Sequence, residues 1–544
     1  MSFNPRGAGV AAVLVLALAV LAAAAALGAG GQAAAAPSDC PVAPDPSALP
    51  SAAQLKQMNT FVAKLGARPT GSRAHARYIA WIRKQLRTVP GLTTSDLSYR
   101  INRWSASKTT LQLRVGGKTR RLAVAAPVPY SKPTGRRGVS APLAFVPAGT
   151  AIDTAHAAGK IVVREAPAGS IQQALFLLPV VSWTTYDPNH TIDPAANFKG
   201  DFIAYLDRIA DLKDAAAAGA KGIVFVKPLP RRQIRGHYEP YEGLPWGVPG
   251  VFLGADQGKA LTDALDAGRH PTARITVRAR FRHVKTPTVL ATLPGASPQR
   301  IVIDSHTDGT NAAEDNGPVA MVAMARYFAK LPRACRPRTL EFAFSTAHFY
   351  QRVGSPDTRD GGAEQLAQKL DRDYDKGTVS AVVVLEHLGA IDYEEVDRKK
   401  GPGMRLAPNG LRAIQFIGVT PSPPLVNTVD QVVQSYDMQR TIMLQGADAP
   451  GNTVPQHCSF GGEGTPYEKH LLPTVGVIAA PQSLYDPAFG LEGIDFGVMH
   501  HALLGYTELL NRMGAMSQPE VAGKVELERQ QRASGTTPSC PSGA

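Results

Sequence analysis

An apolar run, Ile301-Val302-Ile303, ends abruptly in Asp304-Ser305-His306-Thr307-Asp308, and no other stretch constrains the fold of this chain as tightly. A short β-branched run without a polar face reads as a strand buried on both sides, the habit of parallel sheets covered by helices. An acidic loop follows, with Glu314, Asp315 and Asn316, then a helical pattern over 319–328 and a second strand over 339–344. Strand, loop, helix, strand is a crossover unit, and ligands bind beyond the carboxyl ends of such strands. A His among carboxylates at that place suits a divalent metal such as zinc.

Further elements repeat the pattern. Residues 381–385 predict a strand ending in Glu386, and 472–478 predict another buried strand. Apolar positions over 52–86 recur at helical spacing on either side of a turn at 65–72, and a last amphipathic helix is expected over 495–512. Residues 369–376 read as a charged loop, 391–412 as a polar stretch, and the tail after Ser517 as polar and unstructured. The fold class is therefore α/β, a mainly parallel or mixed sheet flanked by helices.

Four of these features occur together: His306-Thr307-Asp308, Asp315-Asn316, Gly354-Ser355 and the turn Arg68-Pro69-Thr70-Gly71-Ser72. In combination they resemble the zinc-dependent exopeptidase family of secreted aminopeptidases, glutamate carboxypeptidase, glutaminyl cyclase and the transferrin receptor. The resemblance implies a first metal site of His306, Asp315 and Glu386, with Asp308 as the catalytic partner of the His-x-Asp pair. It also implies a second site, and there the sequence departs from the family. His348 stands where the family has its catalytic Glu, Phe349 where it has a ligand Glu, and Asp486, after Tyr485, where it has its last His.

Two readings of this departure stay open. His348 acts as general base at a single zinc, since imidazole titrates near neutrality, or His348 and Asp486 rebuild a site for a second zinc. Glu463, Tyr467 and Glu314 are candidate substrate-binding residues, and the turn at 68–72 reads as structural. The expected activity is hydrolysis of a peptide or other amide by a metal-activated water. The alternatives are an inactive binding protein and an amidase or cyclase acting on non-peptide amides. No G-x-S-x-G, H-E-x-x-H or phosphate-loop motif offers a competing chemistry.

Length and composition bound the rest. At 544 residues the chain is too long for one core. Residues 1–36 have the layout of a secretory signal peptide, with an uncleaved membrane anchor as the alternative. Residues 37–125 form the helical lead-in, 284–515 the catalytic-type domain and 516–544 the tail. Pieces at 159–163, 211–225 and 248–253 resemble an inserted β-rich protease-associated domain over 126–283. Four cysteines in an exported chain favour disulfides, and Cys335–Cys458 and Cys40–Cys540 are the expected pairs. The formal charge of +14 suits contact with anionic cell-wall polymers or a membrane surface, with a GC-rich coding bias, suggested by the Ala-, Arg-, Pro- and Gly-heavy usage, as the alternative source. Arginines look scattered along the sequence rather than striped, without interleaved aromatics, so no nucleic-acid partner is expected. Oligomeric state is not legible.

Overall fold

The computed structural model describes residues 39–239, 245–268, 270–348, 350–355, 361–445 and 460–536. Two capped helices lead in. α1 (Ala52–Leu65) starts at a capping box between Ser51 and Gln54, and α2 (Arg73–Leu86) at Ser72, whose hydroxyl accepts the His75 N–H.

Fifteen strands then build one sheet. The first eight are β1 (Thr93–Val115), β2 (Lys118–Leu122), β3 (Ala126–Pro127), β4 (Val139–Phe145), β5 (Ile161–Glu165), β6 (Ser182–Tyr186), β7 (Gly222–Val226) and β8 (Gly250–Leu253). After them come β9 (Thr272–Leu293), β10 (Ser297–His306), β11 (Arg338–Ser345), β12 (Val379–Leu385), β13 (Gln415–Val419), β14 (Thr441–Leu444) and β15 (Thr474–Ala479). Their spatial order is β3-β8-β7-β5-β4-β9-β11-β10-β12-β15-β13-β14-β6, with β1 paired to β9 and β2 to β1 beside this path.

Two parallel groups are thus joined through one long antiparallel strand. β4, β5, β7 and β8 run parallel, and so do β11, β10, β12 and β15, with β9 between the groups. α3 (Asp201–Ala217) and α4 (Ala255–Asp266) serve the first group. The second group has α5 (Gly317–Lys330), α6 (Gly362–Asp375), α7 (Pro423–Ser435), α8 (Gly464–Lys469) and α9 (Phe496–Ala515). β11 and β12 are buried at every residue, as covering on both faces requires. β6 comes from within 126–283, yet it pairs with β14 of the second group.

Three expectations are corrected. Residues 369–376 are not a loop but the end of α6, where Leu366, Ala367, Leu370 and Tyr374 share one buried face behind the charges. The chain after Ser517 is ordered to residue 536 in two helices, Gln518–Ala522 and Val525–Ala533. Ala522 and Val525 pack on Leu471, and Arg529 pairs with Asp371 and Asp375 of α6. Cys335 bonds Cys40 rather than Cys458. The lead-in lies along α9, where the Asn511 amide donates to the Val42 carbonyl at 2.8 Å, and this delivers Cys40 to the turn after α5.

Cys458, Cys540, Phe349 and the apolar run at 10–28 lie outside the described residues. Among the described residues no helix is long and apolar enough to cross a membrane. The polar stretch at 391–412 forms a two-stranded antiparallel sheet, Ile391–Asp397 with Met404–Arg412.

Candidate metal centre

Because β10, β11 and β12 are parallel neighbours, the residues that leave their carboxyl ends converge. His306 closes β10, His348 follows β11, and Glu386 follows β12. Each of the three offers a ligand atom within 4.8 Å of the other two. The imidazoles of His306 and His348 lie parallel, 4.4 Å apart with 10° between their planes. His306 Nε2 is 3.4 Å from Glu386 Oε2. His306 and Glu386 are fully buried, whereas the His348 side chain keeps 16% exposure.

Supporting contacts orient this donor set. His306 Nδ1 faces the Asp308 carbonyl at 2.7 Å, which turns Nε2 towards Glu386. His348 Nδ1 is 2.9 Å from Glu463 Oε1, and the His348 N–H donates to Asp308 Oδ1 at 3.3 Å. The Glu463 N–H donates to Glu386 Oε1 at 2.8 Å. Gly462 makes that approach feasible: a Cβ there would sit 2.3 Å from the same oxygen, and its φ is +53°. Ala347 and His387, neighbours of two of the three, hold φ of +68° and +57°, a strained backbone of the kind found at functional sites.

The electrostatics follow from burial and crowding. Desolvation opposes a charged His306, but the hydrogen bond to Glu386 and the charges of Glu463 and Glu386 outweigh it, so His306 is raised well above its usual value. Burial and the neighbouring His306 hold His348 well below. Glu386 resists its own desolvation through His306 and falls to about 2, while burial beside Asp304 drives Glu463 well above the carboxylate range. Glu386 Oε2 and Glu463 Oε2 are buried without a hydrogen bond among the described residues. Two imidazoles and a carboxylate with a buried, unsatisfied oxygen fit zinc, whose catalytic sites include His2Glu sets.

Other expected residues lie elsewhere. Asp315 is not in the cluster, for both its oxygens are taken by Arg68: Nε to Oδ2 at 2.6 Å and Nη2 to Oδ1 at 2.5 Å, with both side chains fully buried. The turn at 66–72 is thus part of the site's frame, and its Thr70 hydroxyl accepts the Ala347 N–H. Asp486 is also apart. Its Oδ1 is 2.6 Å from His237 Nδ1, and His237 Nε2 is 2.7 Å from Glu239.

Asp201, His237 and Asp486 form a second group of close donors, but Lys227 Nζ lies 2.5 Å from Asp201 Oδ1 and Arg208 pairs with Glu239. An ammonium and a guanidinium already supply the positive charge there. Tyr467 is fully buried, its hydroxyl donating to Asp304 Oδ2 at 2.6 Å, and Glu314 is bonded to Thr310 and raised to about 7 by burial.

Arg68 and His237 are the residues that sequence reasoning missed. Arg68 was visible as an arginine in a motif-bearing turn. His237 gave no signal.

No protein-family model and no curated protein matches the chain in sequence. Solved structures do match. The chain superposes on a Peptidase M28 precursor from Shewanella amazonensis with TM-score 0.58 and 15% identity, covering 86% of this chain and 96% of that one. For the zinc aminopeptidase of Bacillus subtilis the TM-score is 0.57 at 15% identity, over 85% and 95%. An aminopeptidase from an Aneurinibacillus strain gives 0.51 at 16%, over 84% and 93%. The fold of the chain is the one its resemblance implied.

Proposed function

We propose that the chain is a metal-dependent hydrolase of the aminopeptidase type, working at one zinc held by His306, His348 and Glu386. The observation that carries this reading is the convergence of those three donors within 4.8 Å at adjacent parallel strand ends. The fold shared with zinc aminopeptidases supports peptides as the substrate class. Zinc bound there would supply a Lewis acid for an amide carbonyl and for water.

The chain's own residues would manage the proton. Glu463 stands beside His348 with Oε2 unsatisfied, and a cation at the cluster would favour its carboxylate form, the form that accepts a proton. His348 then serves as a ligand rather than as the base. Asp308 positions the His348 backbone, and Arg68 replaces with a guanidinium the cation that Asp315 would otherwise need.

The same Arg68–Asp315 pair is the observation that favours the other reading, an inactive binding protein. Metal content of the purified chain by mass spectrometry separates the two. Roughly one zinc per chain, lost in His306→Ala and Glu386→Gln but kept in Asp315→Asn, is the expected result. No zinc after incubation with excess metal would overturn the hydrolase.

A further inference from the structure

The two longest strands, β1 and β9, pair from Thr93↔Thr292 to Arg114↔Thr272. One face of this ribbon is apolar: Trp104, Leu111 and Leu113 of β1 and Ala273, Ile275 and Val277 of β9 belong to the core. The other face is basic. Arg274, Arg278, Arg280 and Arg282 project from β9, all exposed, and across from them stand exposed Lys108 opposite Arg278 and half-buried Arg103 opposite Arg282. β2 adds Arg121, which shares a row with Gln112 and Arg274.

A bulge makes the stripe continuous. The register shifts between Ala106 and Lys108, so Ser107 is the extra residue and Lys108 keeps the face of Arg103 and Ser105. This is why the arginines look scattered in the sequence. They come from strands far apart in the chain, with the period of two interrupted in one of them.

Among the described residues no ion pair neutralises this face. The sequence has no Asp or Glu between Asp96 and Asp153, or between Asp266 and Asp304. Among the described residues the ribbon's ion pair is Arg83–Asp96 at its far end, and none of the basic side chains named above is in one. Like charges directly opposite on a sheet destabilise it, and the loop beside β4 adds exposed Arg136 and Arg137 rather than carboxylates.

The geometry selects the partner. Same-face residues on a strand recur about every 7 Å, and the stripe from Arg282 to Arg274 runs about 27 Å. That is a line of cations at this repeat, interrupted once, where Thr276 faces Thr110. Its aromatic neighbours Trp104 and Phe281 lie on the opposite face, so bases would find no stacking platform. The exposed apolar side chains Val180 and Trp183 sit at β6, at the edge of the sheet, and Phe145, at the end of β4, is a single exposed ring beside the stripe, short of the apolar face that insertion into a bilayer needs.

We propose that the basic face of the β1–β9 ribbon binds a linear polyanion, a polymer whose phosphodiester charges recur at the spacing of the arginines. The test uses the full chain and end-labelled poly(glycerol phosphate), with anisotropy read over a range of salt. Wild type binds, and R278Q/R280Q/R282Q weakens binding about tenfold or more and lowers the salt slope by about 2, at roughly 0.7 per lost contact.

R278K/R280K/R282K keeps the affinity. K56Q/R77Q/K84Q, on exposed positions of α1 and α2, removes the same charge and leaves binding unchanged. An equal loss in both glutamine triples would reduce the effect to net charge and overturn the assignment. So would the absence of binding, tighter binding of oligothymidylate of equal charge, or binding confined to phosphatidylserine vesicles.

Discussion

Arg68 and Asp315 are both fully buried, and their bidentate pairing decides what the acidic loop can hold. Desolvation pushes Asp315 up, and the Arg68 charge and hydrogen bonds oppose it. Removing one partner of such a pair strands a charge in the interior, at about 3–5 kcal/mol, whereas replacing both by apolar groups is often neutral. Arg68→Met is therefore expected to lower unfolding stability in urea by about that amount, and Arg68→Met/Asp315→Leu to recover most of it. A single variant as stable as wild type would mean that the guanidinium does not carry this load. At this scale the sequence is uneven. His306 and Glu386 are legible because each ends an apolar run, so a strand alone delivers them. Arg68 reaches Asp315 across 247 residues and His237 reaches Asp486 across 249. No local pattern encodes either contact.

The docking of the last helices on α6 shows the same division among elements. Strands β10 and β12 announce themselves by apolar runs and β11 by one broken at Glu341, whereas α6 and the tail helices hide narrow apolar faces among charges whose partners are remote. His470, at the end of α8, is one such partner, bonded to Glu364 at 2.8 Å and to Asp371 at 3.3 Å. Burial disfavours its charged form, but hydrogen bonds to the two carboxylates outweigh burial and raise it from 6.5 to about 9. The folded chain therefore holds this proton to about pH 9, and the unfolded chain releases it near 6.5. The stability it adds, on the order of 3 kcal/mol, is complete below pH 6.5 and is lost as pH rises through 9. Calorimetry at pH 6 and pH 9.5 should show a larger fall in Tm for wild type than for His470→Gln. Parallel curves for the two proteins would exclude His470 as the source.

On the scale of the whole molecule, Asp486 ties the second parallel group of strands to the first. It follows β15, and its partner His237 follows β7 in a network with Asp201, Arg208, Lys227 and Glu239. Three carboxylates face three cations, since burial and Lys227 lower His237 but Asp486 and Glu239 prevail and hold it at about 9. The charges balance only if all six remain. The position that the family resemblance marks for a metal ligand here carries a cross-brace between the two halves of the sheet. Asp486→Ala separates these roles. A brace predicts zinc content equal to wild type together with a loss of about 3–5 kcal/mol in unfolding stability, because His237 and its cationic neighbours are left buried and unbalanced. It also predicts faster proteolytic nicking between the halves, since a weakened contact raises the population of locally open forms. A metal ligand predicts the reverse, with zinc lost and apo-protein stability unchanged. Mass spectrometry and urea unfolding on the same preparation distinguish the two, and unchanged stability with zinc lost would return Asp486 to the metal site.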